Sequence, residues 1–148
     1  MLLIKIISLT KKTKSSDWFS KNDLYIKVRY GEQVCRTTVK WNNNNPVWDE
    51  TFLMNIDENN DEILFEIYDS DKWSSDELLE SFCYSIDYEN LDIKKETVGK
   101  INIEIGDIFH EHNSLISKLQ MDYIKGEKMK ITLKKMNNLL KKASKYLE

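Results

Sequence analysis

Glycine is scarce in this sequence: four occur among 148 residues, none grouped into a loop that could cradle a phosphate, and neither G-x-S-x-G nor H-E-x-x-H is present. Nucleotide binding and the common hydrolytic chemistries therefore have no foothold, and no catalysis is expected. Cysteine is equally sparse. Cys35 and Cys83 stand far apart without C-x-x-C spacing, and no N-x-S/T site occurs, so a reduced, cytoplasmic setting is expected, with the cysteines serving as small apolar residues. His110 and His112 lack the further Cys or His that a zinc site needs and read as a loop pair. An excess of positive charge is missing too: 25 acids outnumber 22 bases for a net charge of −3, which excludes a general nucleic-acid binder. No apolar run approaches the length that spans a bilayer. The opening Met1 to Ile7 is interrupted by Lys5 and soon followed by Lys11, Lys12 and Lys14, so it reads as a strand and not as a signal peptide. Any membrane contact is expected to be peripheral.

What the sequence does contain is enough apolar material for one core, with 41% hydrophobic and 11% aromatic residues. Its pattern is period-two alternation between turn signals. Leu24, Ile26, Val28 and Tyr30 face one way, and Tyr25, Lys27 and Arg29 the other; after Gly31-Glu32, Cys35, Thr37, Val39 and Trp41 alternate with Arg36, Thr38 and Lys40. Further strands are expected at Leu2 to Leu9, Val47 to Ile56, Glu62 to Tyr68, Lys100 to Ile105, Lys118 to Ile124 and Lys128 to Lys135, with Gly126 in the last hairpin. About eight short strands with one polar face predict an all-β, antiparallel β-sandwich over residues 1–137. Leu78 to Lys95 fits a strand (Phe82, Tyr84, Ile86, Tyr88) and a helix (Leu78, Leu79, Phe82, Cys83, Ile86) equally well, Ser74 with Glu77 forming a capping box for the latter. Residues 138–148, with Leu139, Leu140, Ala143 and Leu147 at helical spacing, read as a short amphipathic helix or a frayed tail. The run Asn42 to Asn45 reads as a coding bias without functional weight.

The stretch with most chemistry in it is Ile67 to Glu77, where an alternating strand runs into a cluster of acids that also carries Trp73. Asp69 and Asp71 lie on one side of an extended chain, and two carboxylates so close repel unless a cation or proton joins them. Calcium, which takes six to eight hard oxygens in forgiving geometry, is the natural candidate.

Three motifs in order resemble those of C2 domains, the calcium- and phospholipid-binding modules. Asn45-Pro46-Val47-Trp48-Asp49-Glu50-Thr51-Phe52 resembles N-P-x-W-N-E-x-F. Asn22-Asp23-Leu24-Tyr25-Ile26-Lys27-Val28 resembles S-D-P-Y-V-K-V, with Leu24 in place of proline, and Ile67 to Leu79 resembles the third-loop motif V-Y-D-x-D-x-x-x-x-D-D-x-x-G. The resemblance implies an eight-stranded sandwich whose loops at one end gather Asp17 and Asp23 with Asp69 and Asp71 around calcium. It places Ser74 and Glu77 at the remaining third-loop ligand positions. Glu77 stands where the family has Asp, so Asp76 and Glu96 are candidates for the same role. Glu80 replaces a family glycine, and Val98-Gly99-Lys100-Ile101 arrives late, as if Leu78 to Thr97 were an insertion in the third calcium-binding loop.

Trp18, Phe19 and Trp73 stand beside these acids in polar sequence, where related domains present membrane-inserting side chains. Lys27, Arg29, Arg36 and Lys40 share the outward face of two adjacent strands; the first three match the family's phosphoinositide patch, and Thr38 replaces one expected lysine. The expectation is a monomeric, calcium-dependent module that binds anionic phospholipid membranes peripherally. The alternative is a calcium-independent protein-interaction domain that holds a partner through the basic strip or the 78–97 segment.

Overall fold

The structure is a computed structural model that describes residues 1–10, 22–110, 116–117 and 130–146. Eight strands fall among them: β1 (Leu2–Leu9), β2 (Leu24–Tyr30), β3 (Gln33–Arg36), β4 (Val47–Met54), β5 (Glu62–Asp69), β6 (Glu77–Ser85), β7 (Lys94–Val98) and β8 (Ile101–Asp107), followed by a helix α1 (Lys130–Ser144). The strands build two four-stranded sheets, ordered β4-β1-β8-β7 and β3-β2-β5-β6, with every pairing antiparallel. Alternation gives each sheet one apolar face, and the two faces can leave water only against each other. Leu2, Ile4 and Ile6 of β1 and Ile101, Ile103 and Ile105 of β8 meet Leu24, Ile26, Val28 and Tyr30 of β2 and Ile63, Phe65 and Ile67 of β5 in a single core. The expected all-β sandwich is what forms.

Three local expectations need correction. The strand read over Cys35 to Trp41 stops at Arg36, because the Thr37 hydroxyl turns inward and accepts the Ile26 N–H at 3.0 Å, taking a place in the ladder that a backbone carbonyl would otherwise fill. Beyond it, Lys40 returns to Leu24 only as an isolated bridge. The stretch read as an insertion, Leu78 to Thr97, instead supplies β6 and β7. The hairpin from β5 to β6 closes at once, Asp69 opposite Glu77, and Phe82 and Tyr84 pack against the core, so the period-two reading prevails over the helical one. The strand expected at Lys128 to Lys135 falls largely within α1, where Met136, Leu139, Leu140 and Ala143 carry helical spacing and Lys141 and Lys142 suit the negative end of the helix dipole. The helix also takes in most of residues 138–148, so of the two expectations for the tail the helical one holds through Ser144. The expected strand Lys118 to Ile124 and the turn at Gly126 lie outside the described residues.

Register decides which loops share an end. Leu9 lies opposite Ile101, its N–H donates to Pro46 O, and Thr10 N–H donates to Lys100 O, so the start of β4 and the β7–β8 turn sit where β1 stops. Asn43 N–H to Asn22 O and Ser70 N–H to Asp23 O join the 41–46 and 70–76 connections to the start of β2. Gly99 makes the β7–β8 turn possible: its φ is +59°, and a Cβ there would run into the Phe82 ring. Ladder irregularities lie near this end, between Ile6 and Ser8 in both pairings of β1 and at Leu79 of β6, which is passed over between Leu78 opposite Tyr68 and Glu80 opposite Ile67. Such bulges twist a strand and re-aim its side chains, and in β6 they leave the adjacent Leu78 and Leu79 both exposed.

Candidate metal and membrane site

The acids at this end are arranged by backbone donors. Asp23 N–H donates to Asp69 Oδ1 at 2.7 Å, and Asn42 N–H donates to Asp23 Oδ1 at 2.6 Å, so one short chain of hydrogen bonds ties together three connections far apart in sequence. The asparagine run is part of this frame. Asn44 Oδ1 accepts from Asn22 N–H, Asn43 Oδ1 accepts from Asn45 N–H, and Asn42 occupies the left-handed region at φ 51°, which asparagine tolerates better than most residues. The reading of Asn42 to Asn45 as mere coding bias is therefore corrected.

Asp71 and Asp76 shape the third loop from within. Asp71 Oδ2 accepts from Ser74 Oγ–H at 2.6 Å and Asp71 Oδ1 from Trp73 N–H at 3.1 Å, and these bonds, the Ser74 hydroxyl first, hold its pKa below the usual carboxylate value. Ser74 is thus bonded within the loop and does not cap a helix. Asp76 Oδ2 accepts the Tyr25 hydroxyl at 2.7 Å, and Asp76 Oδ1 accepts Asp71 N–H at 3.1 Å; the tyrosine contact is the main reason its pKa is lowered. Burial, aided by that hydrogen bond, pushes the Tyr25 phenol up to about 12. Because the folded Asp76 carboxyl titrates below the unfolded one, the contact stabilises the fold above the ordinary Asp range near about 3.9 and is lost as pH falls through the folded value. Tyr25→Phe should accordingly raise the Asp76 pKa, which a carbon-detected NMR titration of the side-chain carboxyls would read; an unmoved titration would contradict the contact.

The structure brings together some of the expected ligands and separates others. Asp23 and Asp69 are hydrogen-bonded neighbours, Asp71 lies on the same loop, and exposed Glu77 opens β6 opposite Asp69. Glu96 sits on β7 in the other sheet, ion-paired with Lys94 at 3.1 Å. Asp17, Trp18 and Phe19 lie outside the described residues. The donor chemistry suits calcium, since every acid here offers hard carboxylate oxygens. Among the described residues, no three acidic, histidine or cysteine side chains converge tightly enough to hold a metal ion by themselves.

Around the acids the surface is aromatic and basic. Trp73 is 95% exposed at the head of the 70–76 loop. On the outer face of the β3-β2-β5-β6 sheet, Tyr25 and Tyr68 stack with centroids 5.2 Å apart. Lys27 Nζ lies 5.1 Å from the Tyr68 ring and Arg36 Cζ lies 5.5 Å from the Tyr25 ring. Lys27 and Arg36 face each other across β2 and β3, as the sequence implied. Arg29 is committed to an internal partner: its Nε is 2.8 Å from Glu66 Oε2, and Glu66 is buried. Lys40 does not share that outer face as the sequence implied: the strand ends at Arg36, and Lys40 pairs with core-facing Leu24 and is half-buried. Sequence reasoning missed Trp41 and Lys72, which meet across two loops, Lys72 Nζ 4.8 Å from the indole centroid. The alternation from Cys35 to Trp41 fits a strand, and only the place of Trp41 directly before four asparagines hints at a loop.

A profile of the C2 domain matches residues 1–102. A C2 and GRAM domain-containing protein of Arabidopsis thaliana is 30% identical over 80 residues, covering 54% of this chain and 8% of the relative, so the chain spans under a tenth of that protein's length. Among solved structures, a C2 domain of plant extended synaptotagmin 1 superposes with a TM-score of 0.55 at 18% identity, covering 70% of this chain and 88% of that one. The calcium-bound pair of C2 domains from extended synaptotagmin 2 superposes with a TM-score of 0.51 at 20% identity, covering 82% of this chain and 52% of that one. With the profile matching more than half of its length, and with two antiparallel sheets in agreement, the chain belongs to the C2 domain family.

Proposed function

We propose that this chain is a peripheral membrane-binding module that docks on anionic phospholipid through its 70–76 loop and does so in response to calcium, without catalysis of its own. The observation that carries the docking reading is Trp73, 95% exposed on a loop that also holds Asp71 and Asp76 and follows directly on Asp69 at the end of β5. An indole left in water at a loop head has no packing role, and transferring it to a headgroup boundary is worth roughly 1.5 to 3 kcal/mol. That is too little for stable attachment, so a second signal is needed. Asp23, Asp69, Asp71 and Glu77 repel an anionic surface, which makes their neutralisation the natural switch. Asp23, Asp69 and Asp71, with Asp17 and Glu77, would hold the calcium, whose charge would reverse the local field. Support for the calcium reading comes from the clustering of Asp23 with Asp69 and from the calcium-bound state of extended synaptotagmin 2.

The outer-face cations give weaker support than their number suggests. Arg29 already neutralises Glu66 and Lys40 lies off that face, which leaves Lys27 and Arg36 as the charges available to a lipid phosphate, each worth about 1 kcal/mol near an anionic leaflet. A second reading, docking of a protein partner without calcium, is favoured by one observation: the acids of the third loop are satisfied by Tyr25, Ser74 and backbone N–H groups. Asp69→Asn combined with Asp71→Asn separates the two. Under the calcium reading the wild type gains thermal stability with calcium, because the ion binds only the folded chain, and the double variant does not. An undiminished calcium shift in the variant would place the ion elsewhere, and no shift in the wild type would favour the second reading.

A further inference from the structure

Trp41 lies outside the docking loop just described and Lys72 lies on it, yet both are placed to contribute. Trp41 follows Lys40 at the opening of the 41–46 connection and is 51% exposed. The other tryptophan of that region shows what a structural indole looks like here: Trp48 is 6% exposed and its Nε1–H donates to Thr38 O at 2.8 Å. Trp41 lacks such burial, and its ring is held instead beneath the Lys72 ammonium, 4.8 Å away, which arrives from the opposite loop. The next residue after Lys72 is the fully projecting Trp73. Trp41 therefore brings the 41–46 connection into contact with the loop that carries Trp73.

We propose that Trp41 and Lys72 form a second lipid contact, the indole entering the headgroup boundary and the ammonium meeting a lipid phosphate beside it. The proposal rests on the membrane-docking reading above. An indole is amphipathic and favours that boundary, and a lysine stem can lie along apolar surface while its charge stays among the phosphates. The two side chains already touch, so less motional freedom is lost when a surface engages both. The lipid phosphate also complements the one cation that stands among the acids of the 70–76 loop. The consequence is a broader footprint, with the module resting on the 41–46 connection as well as on the head of the 70–76 loop.

The test uses the full chain and vesicles of phosphatidylcholine and phosphatidylserine in equal parts, in saturating calcium. Trp18→Phe with Trp73→Phe leaves Trp41 and buried Trp48 as the emitters; adding Trp41→Phe leaves Trp48 alone. Lipids brominated near the headgroup should quench a blue-shifted emission in the first protein and not in the second. Separately, Trp41→Ala should weaken vesicle binding about tenfold, in keeping with partial burial of one aromatic ring. Lys72→Gln should weaken it less, by an amount that vanishes at high salt. Vesicle binding with Trp41 unquenched would overturn the proposal and leave the docking reading intact. Failure of the wild type to bind vesicles at all, with or without calcium, would overturn both. Equal binding in chelator would remove only the calcium switch, and the Trp41 measurement would then be made in chelator with the same expected outcome.

Discussion

Trp18→Ala combined with Trp73→Ala should lower vesicle affinity by roughly 3 to 6 kcal/mol in saturating calcium, the transfer free energy of two large aromatic side chains. The loss should be as large at high salt as at low, because apolar transfer is not screened, whereas exposed charges act over only about 8 to 10 Å at physiological ionic strength. Calcium binding should survive in the variant, since neither ring supplies an oxygen. Because Trp41 also reaches the headgroups, binding should weaken without disappearing, and what remains should fall further when Trp41→Ala is added. Vesicle affinity of both proteins across a salt series is the measurement. Near-equal affinities at every salt would refute insertion and reduce docking to charge attraction between loop and headgroup.

The second large effect belongs to the core. Phe65 is fully buried on β5, between β2 and β6, and packs in the cluster formed by both sheets. Phe65→Ala leaves a cavity that the flanking Val28 and Phe82 rows, held in register on either side, can fill only by shifting whole strands. The expected cost is about 3 to 5 kcal/mol, out of a total that for domains of this kind is about 5 to 15 kcal/mol. Denaturant unfolding would show it as a lowered midpoint at nearly unchanged slope. A cost of under about 1 kcal/mol would mean that the two sheets do not meet at Phe65.

Much of this architecture was legible wherever one face of a strand is buried and the other is not. β1, β2, β4, β5 and β8 begin or end within two residues of their alternating runs, because period-two burial is a local property written into each run. Where a tertiary partner chose between two local readings, the sequence was silent. Leu78 and Leu79 are adjacent and both remain exposed, so they add nothing to a strand's alternation and something to a helix's stripe. The pairing of β6 with β5 decided the matter. Thr37 shows the reverse, a residue with the right pattern for a strand whose hydroxyl interrupts it.

The candidate site divides in the same way. Asp69 and Asp71 announce themselves by spacing, and Asp23 by the motif around it, so these positions needed no structure to find. That Asp76 is held by Tyr25 is a contact between segments far apart in sequence and could not be seen from spacing. The commitment of Arg29 to Glu66 is a cross-strand diagonal of the same kind. Trp41 and Lys72 meet only because the 41–46 and 70–76 connections share one end of the sandwich, which is a consequence of topology.

The central claim, a C2 domain whose attachment to anionic membrane is switched by calcium, is tested most directly by co-sedimentation of the wild-type chain with phosphatidylserine-containing vesicles, in calcium and in chelator. The account predicts that the protein pellets with vesicles in calcium, stays in the supernatant in chelator, and returns to the supernatant when chelator is added to a bound sample. Equal pelleting in both conditions would contradict the switch.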